Sequence, residues 1–259
     1  MPIAELAVIG GSGLYSLLDQ AEEHQVQTPY GAPSDVITVA EVAGRPVAFL
    51  PRHGRNHQFP PHRIPYRANI WALRELGVTQ ILGPCAVGSL RPDLGPGSFV
   101  VPDQLIDQPR GRVQTFYDEG ATHISFADPY CPAGRATVRQ AAQEVGIEIT
   151  DGGTMVVIQG PRFSTRAESR WYAAAGGTLI NMTGHPEAVL ARELGLCYTA
   201  IALVTDLDAG VEGDRGVTQE EVFQVFAENT DRMRGLIMAA LAALPATRTC
   251  PCPEAVPSH

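Results

Sequence analysis

Residues 152–193 constrain this chain most. They read GGTMVVIQGPRFSTRAESRWYAAAGGTLINMTGHPEAVLARE. Thr154–Gln159 is a short apolar run rich in β-branched residues, which predicts a buried strand. Gly160-Pro161 ends it, because proline donates no ladder hydrogen bond. Ser164 and Thr165 can cap a helix through Ala167–Ala175, with Glu168 placed for a capping box with Thr165. Gly176-Gly177 stops that helix, Thr178–Met182 reads as a second strand, and Pro186 marks the start of a second helix. Polar residues thus collect at two strand-to-helix turns. In open α/β sheets, ligands bind beyond the carboxyl ends of strands.

The rest of the chain repeats this pattern. Leu6–Ile9 is an apolar strand running into Gly10-Gly11-Ser12-Gly13, where glycines let backbone N–H groups approach an anion and Ser12 adds a hydroxyl. The glycine spacing fits neither a dinucleotide fingerprint nor a P-loop, and the same residues serve a plain tight turn equally well. Val47–Leu50 ends in Pro51-Arg52-His53-Gly54-Arg55-Asn56-His57. Paired arginines beyond a strand suit a phosphate or carboxylate, although a solvated basic loop is the commoner fate. Gln80–Gly83 leads into the small residues Pro84-Cys85-Ala86-Val87-Gly88. Cys197–Val204 feeds Thr205-Asp206-Leu207-Asp208, and in an extended segment that spacing places both carboxyl groups on one side. Turn capping explains the pair as well. Magnesium ligation lacks a third acidic ligand, so no metal site is expected. Thr218–Leu244 reads as one long helix with a capping box at Thr218 and Glu221.

Bulk properties narrow the classes. A chain of 259 residues, 44 % hydrophobic, has room for one large α/β core. A net charge of −9 argues against nucleic acid and anionic membranes, but not against a local anion site built from a few arginines. No apolar run of about 18 residues predicts a membrane span. No basic region followed by an apolar core opens the chain, so a cytoplasmic location is expected. Five cysteines are scattered. Cys85, Cys131 and Cys197 are expected as reduced core thiols. Cys250-Pro-Cys252 can pair or bind a metal, but is read as an unpaired motif in a loose tail over residues 246–259, beyond a single domain of residues 1–245.

The stretch GTMVVIQGPRFSTRAES followed by NMTGHPE resembles the nucleoside phosphorylases that include 5′-methylthioadenosine phosphorylase and the trimeric purine nucleoside phosphorylases. IGGSGLY, PRHGRNHQ, PYRANIWAL, CAVGSL and VTDLDAG extend the resemblance over Leu6 to Leu244. It implies a single α/β domain with a mixed, partly barrel-like sheet flanked by helices. It also implies a homotrimer or a dimer of trimers, with inorganic phosphate as co-substrate and no cofactor. By the same resemblance Ser12, Arg52, His53, Cys85, Ala86 and Thr183 belong to the phosphate site. Relatives often place Thr or Ser at Cys85, so its side-chain contact departs from the pattern. Phe163, Met182 and Thr205 fall at nucleoside contacts. Asp206 falls as the general acid at purine N7, with Asp208 facing the 6-substituent. Ser164, His185 and Gln219 fall at specificity positions. His123 falls where the family closes a neighbouring subunit's 5′ pocket, although from its own context it is an ordinary loop histidine.

The expected reaction is phosphate attack at C1′ of a purine nucleoside. Phe163 offers a face for the heterocycle, and a buried Asp206 has its pKa raised and stays protonated. The acidic base edge favours 5′-methylthioadenosine. Gln219, polar where methylthioadenosine enzymes are apolar, keeps open a 6-oxopurine phosphorylase. A nucleoside-binding protein without turnover is the alternative of another class.

Overall fold

The computed structural model describes residues 2–10 and 21–256. Strands β1 (Leu6–Gly10), β2 (Glu22–His24), β3 (Ile37–Val42) and β4 (Arg45–Pro51) precede helix α1 (Tyr66–Glu75). Then come β5 (Gln80–Ser89), β6 (Phe99–Val101), β7 (Gln104–Asp107), α2 (Pro132–Glu144), β8 (Ile149–Asp151) and β9 (Thr154–Val157). The chain continues through α3 (Arg166–Ala174), β10 (Gly177–Asn181), α4 (Gly184–Glu193), β11 (Cys197–Leu207), α5 (Gln219–Glu228) and α6 (Thr230–Ala243).

The strands form one mixed sheet, ordered β2-β3-β4-β1-β5-β10-β9-β7, with β11, β6 and β8 branching from β5. Its barrel character comes from continuity between short strands. β5 pairs with β11, β11 with β6, β7 with β9, and β9 with β10, which returns to β5. Pro102-Asp103 joins β6 to β7, so the ring closes. Gly152 and Gly153, with φ of 89° and 127°, turn β8 into β9 alongside that joint. Only glycine adopts such angles at little steric cost.

Alternation along the strands sends side chains to two cores. Ala7 and Ile9 of β1, and Ala48 and Leu50 of β4, face the core that α1 and α4 cover. Leu6, Val8, Val47 and Phe49 face the other, covered by α2 and α6. With both faces buried, the central strands read as continuous apolar runs.

The capping box expected at Thr165 is present: its hydroxyl accepts from the Glu168 N–H, and the Glu168 carboxylate accepts from the Thr165 N–H. Two expectations are corrected, the single long helix and the loose tail. The long helix is two, α5 and α6, because Asn229 leaves helical geometry between them and donates its side-chain amide to the Val225 carbonyl. In its stripe Met233, Leu236, Ile237 and Leu241 are buried, whereas Val222, Val225 and Phe226 are only half-buried. The segment after Val101 contains the short strand β7. The tail packs on the body: Cys252 is fully buried, and Arg248 donates to the Thr79 and Gly195 carbonyls. No described helix is long and apolar enough to cross a membrane.

Candidate active site

The site is built around an interruption in the ladder of β5. β1 is parallel to β5 and pairs Leu6–Val8 with Gln80–Leu82. β10 is antiparallel to β5 and pairs Leu179 and Ile180 with Ser89 and Gly88. The two strands therefore approach head-on along one edge of β5. Between them, residues 83–87 have no ladder partner on that edge among the described residues. Side chains take the place of strand backbone. Arg52 Nη1 donates to the Pro84 carbonyl at 3.0 Å, and Asn181 Nδ2 donates to the Ala86 carbonyl at 3.2 Å. Ala86 is the only half-exposed residue of β5.

Loops from three strands meet at this interruption. Arg52 follows β4, and its N–H bonds the Gly10 carbonyl at the end of β1. Its guanidinium is buried. Nε and Nη2 grip both Glu187 oxygens at 2.5 and 2.9 Å, and Nη2 also donates to Ile9 O at 2.8 Å. Burial pulls its pKa down, but the Glu187 carboxylate outweighs that and holds the pKa well above its ordinary value. Most of the guanidinium's hydrogen-bonding capacity is thus spent on the protein. Glu187 also accepts from the Tyr198 hydroxyl at 2.7 Å.

His53 sits beside Arg52, with Nδ1 2.8 Å from the Phe59 carbonyl. A carbonyl only accepts, so Nδ1 carries the proton and Nε2 the lone pair. Burial lowers the pKa to about 4 despite that bond, helped by Arg52 and His57. The ring is therefore neutral near pH 7 and can accept a hydrogen bond from an O–H of a ligand through Nε2. On the β10 side, Asn181 Oδ1 accepts from the N–H groups of Thr183 and Gly184 at 2.8 and 2.6 Å, which shapes the turn into α4. The Thr183 hydroxyl caps nothing in α4, whose first residues include the cis peptide before Pro186. Cys85 is buried, and burial pushes its thiol up to about 12, so it stays neutral.

β5 continues to the acidic end. β11 runs parallel to it, and a bulge between Val204 and Asp206 places Asp206 opposite Gly88. A Cβ on Gly88 would lie 2.9 Å from Asp206 Oδ1, so only glycine leaves room for the carboxyl group. Thr205 Oγ1 lies 3.2 Å from the Val87 carbonyl and 2.9 Å from Asp206 Oδ2. Burial raises the Asp206 pKa to about 6, against the Thr205 hydrogen bond that lowers it. Asp208 is buried and also raised by burial, but Ser169 of α3 donates to its Oδ2 at 2.6 Å and favours the ionised form. The two carboxyl groups so differ in environment.

Phe163 and Ser164 lie in the turn after β9, half-buried and buried. That turn abuts Met182 closely enough that a Cβ on Gly160 would lie 2.6 Å from its sulfur. Of the specificity candidates, Gln219 is exposed in the first turn of α5. Phe223, one turn on and on the same face, is 50 % exposed and edge-on to His57 at 6.1 Å. His57 in turn stacks on His53 at 4.4 Å. His185 is buried and faces the arm that follows Val101, with Nε2 2.7 Å from Gln114 Oε1 and 3.2 Å from Asp107 Oδ2. His123 is exposed on the segment between β7 and α2. Ser12 lies outside the described residues. Sequence reasoning missed Glu187, Asn181, Ser169 and Phe223. Asn181 and Glu187 stand inside the NMTGHPE motif, but their pairing across the ladder gap is visible only in three dimensions. A separate cavity of about 390 Å³, lined by Gln108, Arg110, Trp171 and Tyr172 among others, holds none of the paired carboxylates or anion donors.

The arrangement offers a polar anion floor at the middle of β5 and a protonatable carboxyl group at its carboxyl end, with an aromatic turn alongside. Comparison with known proteins agrees. A model described as the Phosphorylase superfamily matches residues 5–242. The S-methyl-5′-thioadenosine phosphorylase of Mycolicibacterium smegmatis is 60 % identical over 247 residues, covering 95 % of this chain and 93 % of that protein. The purine nucleoside phosphorylase of Streptomyces coelicolor is 58 % identical over 264 residues, covering 98 % and 94 %. A methylthioadenosine phosphorylase structure sourced from an antarctic soil metagenomic library matches with a TM-score of 0.93 at 41 % identity, over 99 % of this chain and 92 % of that one. Methylthioadenosine phosphorylase from Schistosoma mansoni in complex with adenine matches with a TM-score of 0.90 at 37 % identity, over 95 % and 93 %. With these likenesses spanning nearly its whole length, and with the nucleoside phosphorylase fold, the chain belongs to the phosphorylase superfamily.

Proposed function

We propose that the protein cleaves 5′-methylthioadenosine with phosphate, giving adenine and 5-methylthioribose 1-phosphate. The observation that carries this reading is the raised pKa of Asp206, about 6, at the acidic end of β5. Phosphate seats at the ladder gap, against the backbone of Cys85 and Ala86, the Thr183 hydroxyl and the remaining Arg52 N–H, with Ser12 completing the floor. Neutral His53 accepts a hydrogen bond from a phosphate P–OH through Nε2 and so orients the nucleophile. Phosphate attacks C1′ as the ribose passes through an oxocarbenium-like state, and negative charge develops on the departing purine. Asp206 protonates N7 as general acid. Adenine stacked on Phe163 and Met182 dries the carboxyl group and raises its pKa further. Asp208, ionised against Ser169, accepts from the exocyclic amine. An acceptor at that position disfavours a 6-oxo group, and mismatched buried polar groups discriminate sharply. Ser164 and His185 tune the walls. Phosphate is the nucleophile, so the reaction calls on no cofactor.

A second reading is a 6-oxopurine phosphorylase. Gln219 favours it, because its amide suits a 5′-hydroxyl better than a methylthio group. The two are separated by running methylthioadenosine, adenosine, inosine and guanosine in parallel, with and without phosphate. Methylthioadenosine is expected to be cleaved fastest and only with phosphate. Faster inosine cleavage would move the assignment to the second reading, and release of base without phosphate would make the protein a hydrolase.

Three further outcomes follow from the site. The proton that Asp206 donates is lost as pH rises through about 6 in the free enzyme. So kcat/KM for methylthioadenosine should fall above that pH, while the limb in kcat lies higher because bound purine desolvates the acid. Asp206→Asn should remove the limb and lower adenine-nucleoside turnover by about 10²–10⁴-fold. The folded-state pKa of this acid is raised, so Asp206 costs stability as pH climbs from the ordinary carboxylate range through about 6. The variant should therefore melt no lower than the wild type at pH 7. An unchanged pH profile would remove Asp206 from the acid role.

Arg52→Ala should act twice. Loss of a charge-assisted contact of about 1.5–3 kcal/mol should raise the phosphate KM by one to two orders of magnitude. Leaving Glu187 buried without its partner should destabilise the fold by about 3–5 kcal/mol. Phosphate saturation curves well below the melting temperature separate the two effects.

His123 is proposed to close the 5′ pocket of a neighbouring subunit in a homotrimer or a dimer of trimers. Sedimentation at assay concentration should give a trimer or a multiple of it, and a fully active monomer would overturn the shared pocket.

A further inference from the structure

Four of the five cysteines converge away from the active site. Cys131 is the N-cap of α2, Cys197 opens β11, and Cys250 and Cys252 stand in the C-terminal tail. Their Sγ atoms all lie within 4.8 Å of one another, with Cys197 and Cys250 3.2 Å apart. Cys131, Cys197 and Cys252 are buried, and Cys250 is partly buried. Together with Ala133 they make a small core of their own.

We propose that Cys131, Cys197, Cys250 and Cys252 form a structural tetrathiolate site for zinc. Zinc holds thiolates at about 2.3 Å in a tetrahedron, which sets neighbouring sulfurs about 3.8 Å apart. A mutual span under 4.8 Å matches that cage closely, with four sulfurs grouped around one point. Soft thiolates select zinc over magnesium or calcium, which take oxygen ligands. Four protein ligands leave no open position, so the site is structural and has no catalytic vacancy.

The surroundings suit the charge. Zn²⁺ replaces four thiol protons, which pass to solvent, and the resulting centre carries two net negative charges. The Gly134 N–H, in the first turn of the 13-residue α2, donates to Cys131 Sγ at 3.4 Å. A helix N-terminus favours a thiolate there. The tail is also presented rather than loose. Arg248 ties it to Thr79 and Gly195, and a short 3₁₀ turn at Cys252–Ala255 packs against α4. Gly195, with φ of 67°, brings the α4–β11 turn to within a Cβ's reach of Val256 and Pro253. The centre would pin the tail to α2 and to the base of β11, whose far end carries Asp206.

The test uses the full-length protein purified with reductant throughout. Elemental analysis should find about one zinc ion per chain that survives dialysis. After removal with a thiol-directed mercurial and chelator, Co²⁺ under reductant should restore the visible absorption of a tetrahedral cobalt–thiolate centre. Zn²⁺ should displace that spectrum and raise the melting temperature above that of the metal-free protein. Cys250→Ser, at the least buried ligand, should lose stoichiometric zinc and melt lower, while still turning over nucleoside at moderate temperature. Protein that is zinc-free as purified and silent toward Co²⁺ would overturn the site. So would intact-mass measurement showing the four thiols oxidised to two disulfides under the same reducing conditions. The wild-type cobalt spectrum decides the matter even where the variant folds poorly.

Discussion

A buried ion pair occupies the place where the ladder of β5 is broken. Arg52 and Glu187 meet with both side chains almost fully enclosed. Moving such a pair out of water costs several kcal/mol per ion, and an apolar pair of the same volume often stabilises a fold better. What an apolar pair cannot do is satisfy the backbone carbonyls left where β1 and β10 stop short of each other. Arg52 caps the Ile9 and Pro84 carbonyls, and Glu187 holds the guanidinium in the plane that makes this possible. The pair lets two strands end head-on inside a buried sheet. That ending creates an opening in the sheet, and an opening lined by backbone and polar turns is where a small anion can reach the interior.

The carboxyl end of β5 uses the opposite device. Gly88 is left without a side chain so that Asp206 can lie against the strand, partly desolvated. Asp208, two residues on, is kept in touch with a hydroxyl donor from α3. Burial raises the pKa of both carboxyl groups, and the Ser169 hydroxyl offsets part of that rise at Asp208, so the two differ in environment. Because β5 carries both the anion floor and the glycine, the spacing between the two ends of the site is fixed by one buried strand. Rigid spacing of this kind is what a displacement reaction needs, since the nucleophile and the leaving group must stay in line.

Much of this was legible in sequence, for identifiable reasons. Glycine, proline and capping residues locate strand ends and helix starts, so the β9–α3–β10–α4 run was readable to within a residue or two, including the Thr165 box. What failed depended on tertiary partners. The periodic stripe from Val222 to Leu241 looks like one helix, yet Asn229 bonds its side-chain amide back to Val225 and splits it. The Cys-Pro-Cys tail looks loose because its partners, Cys131 and Cys197, are more than fifty residues away in sequence. Arg52 was readable as an anion donor, but its pairing with Glu187 was not, since nothing in either local motif signals a contact between a β4 turn and α4.

On the proposed reading, the splitting of the last helix matters for the 5′ end of the site. α6 is anchored by Met233, Leu236, Ile237, Ala240 and Leu241, whereas α5 has no buried residue. Phe223, one turn after Gln219, meets His57 edge-on, and His57 stacks on His53 in the anion loop. A helix held by so little apolar area sits at the low end of local stability. A ligand packed on the exposed part of Phe223 would add buried area to the element that lacks it, at about 25 cal/mol per Å². A methylthio group contributes to that area through sulfur and methyl alike, while a hydroxyl contributes a hydrogen bond to Gln219 and little burial. The choice between them thus rests on packing of α5 rather than on the rigid β5 scaffold, and the acidic base edge, fixed in β11, discriminates independently of it.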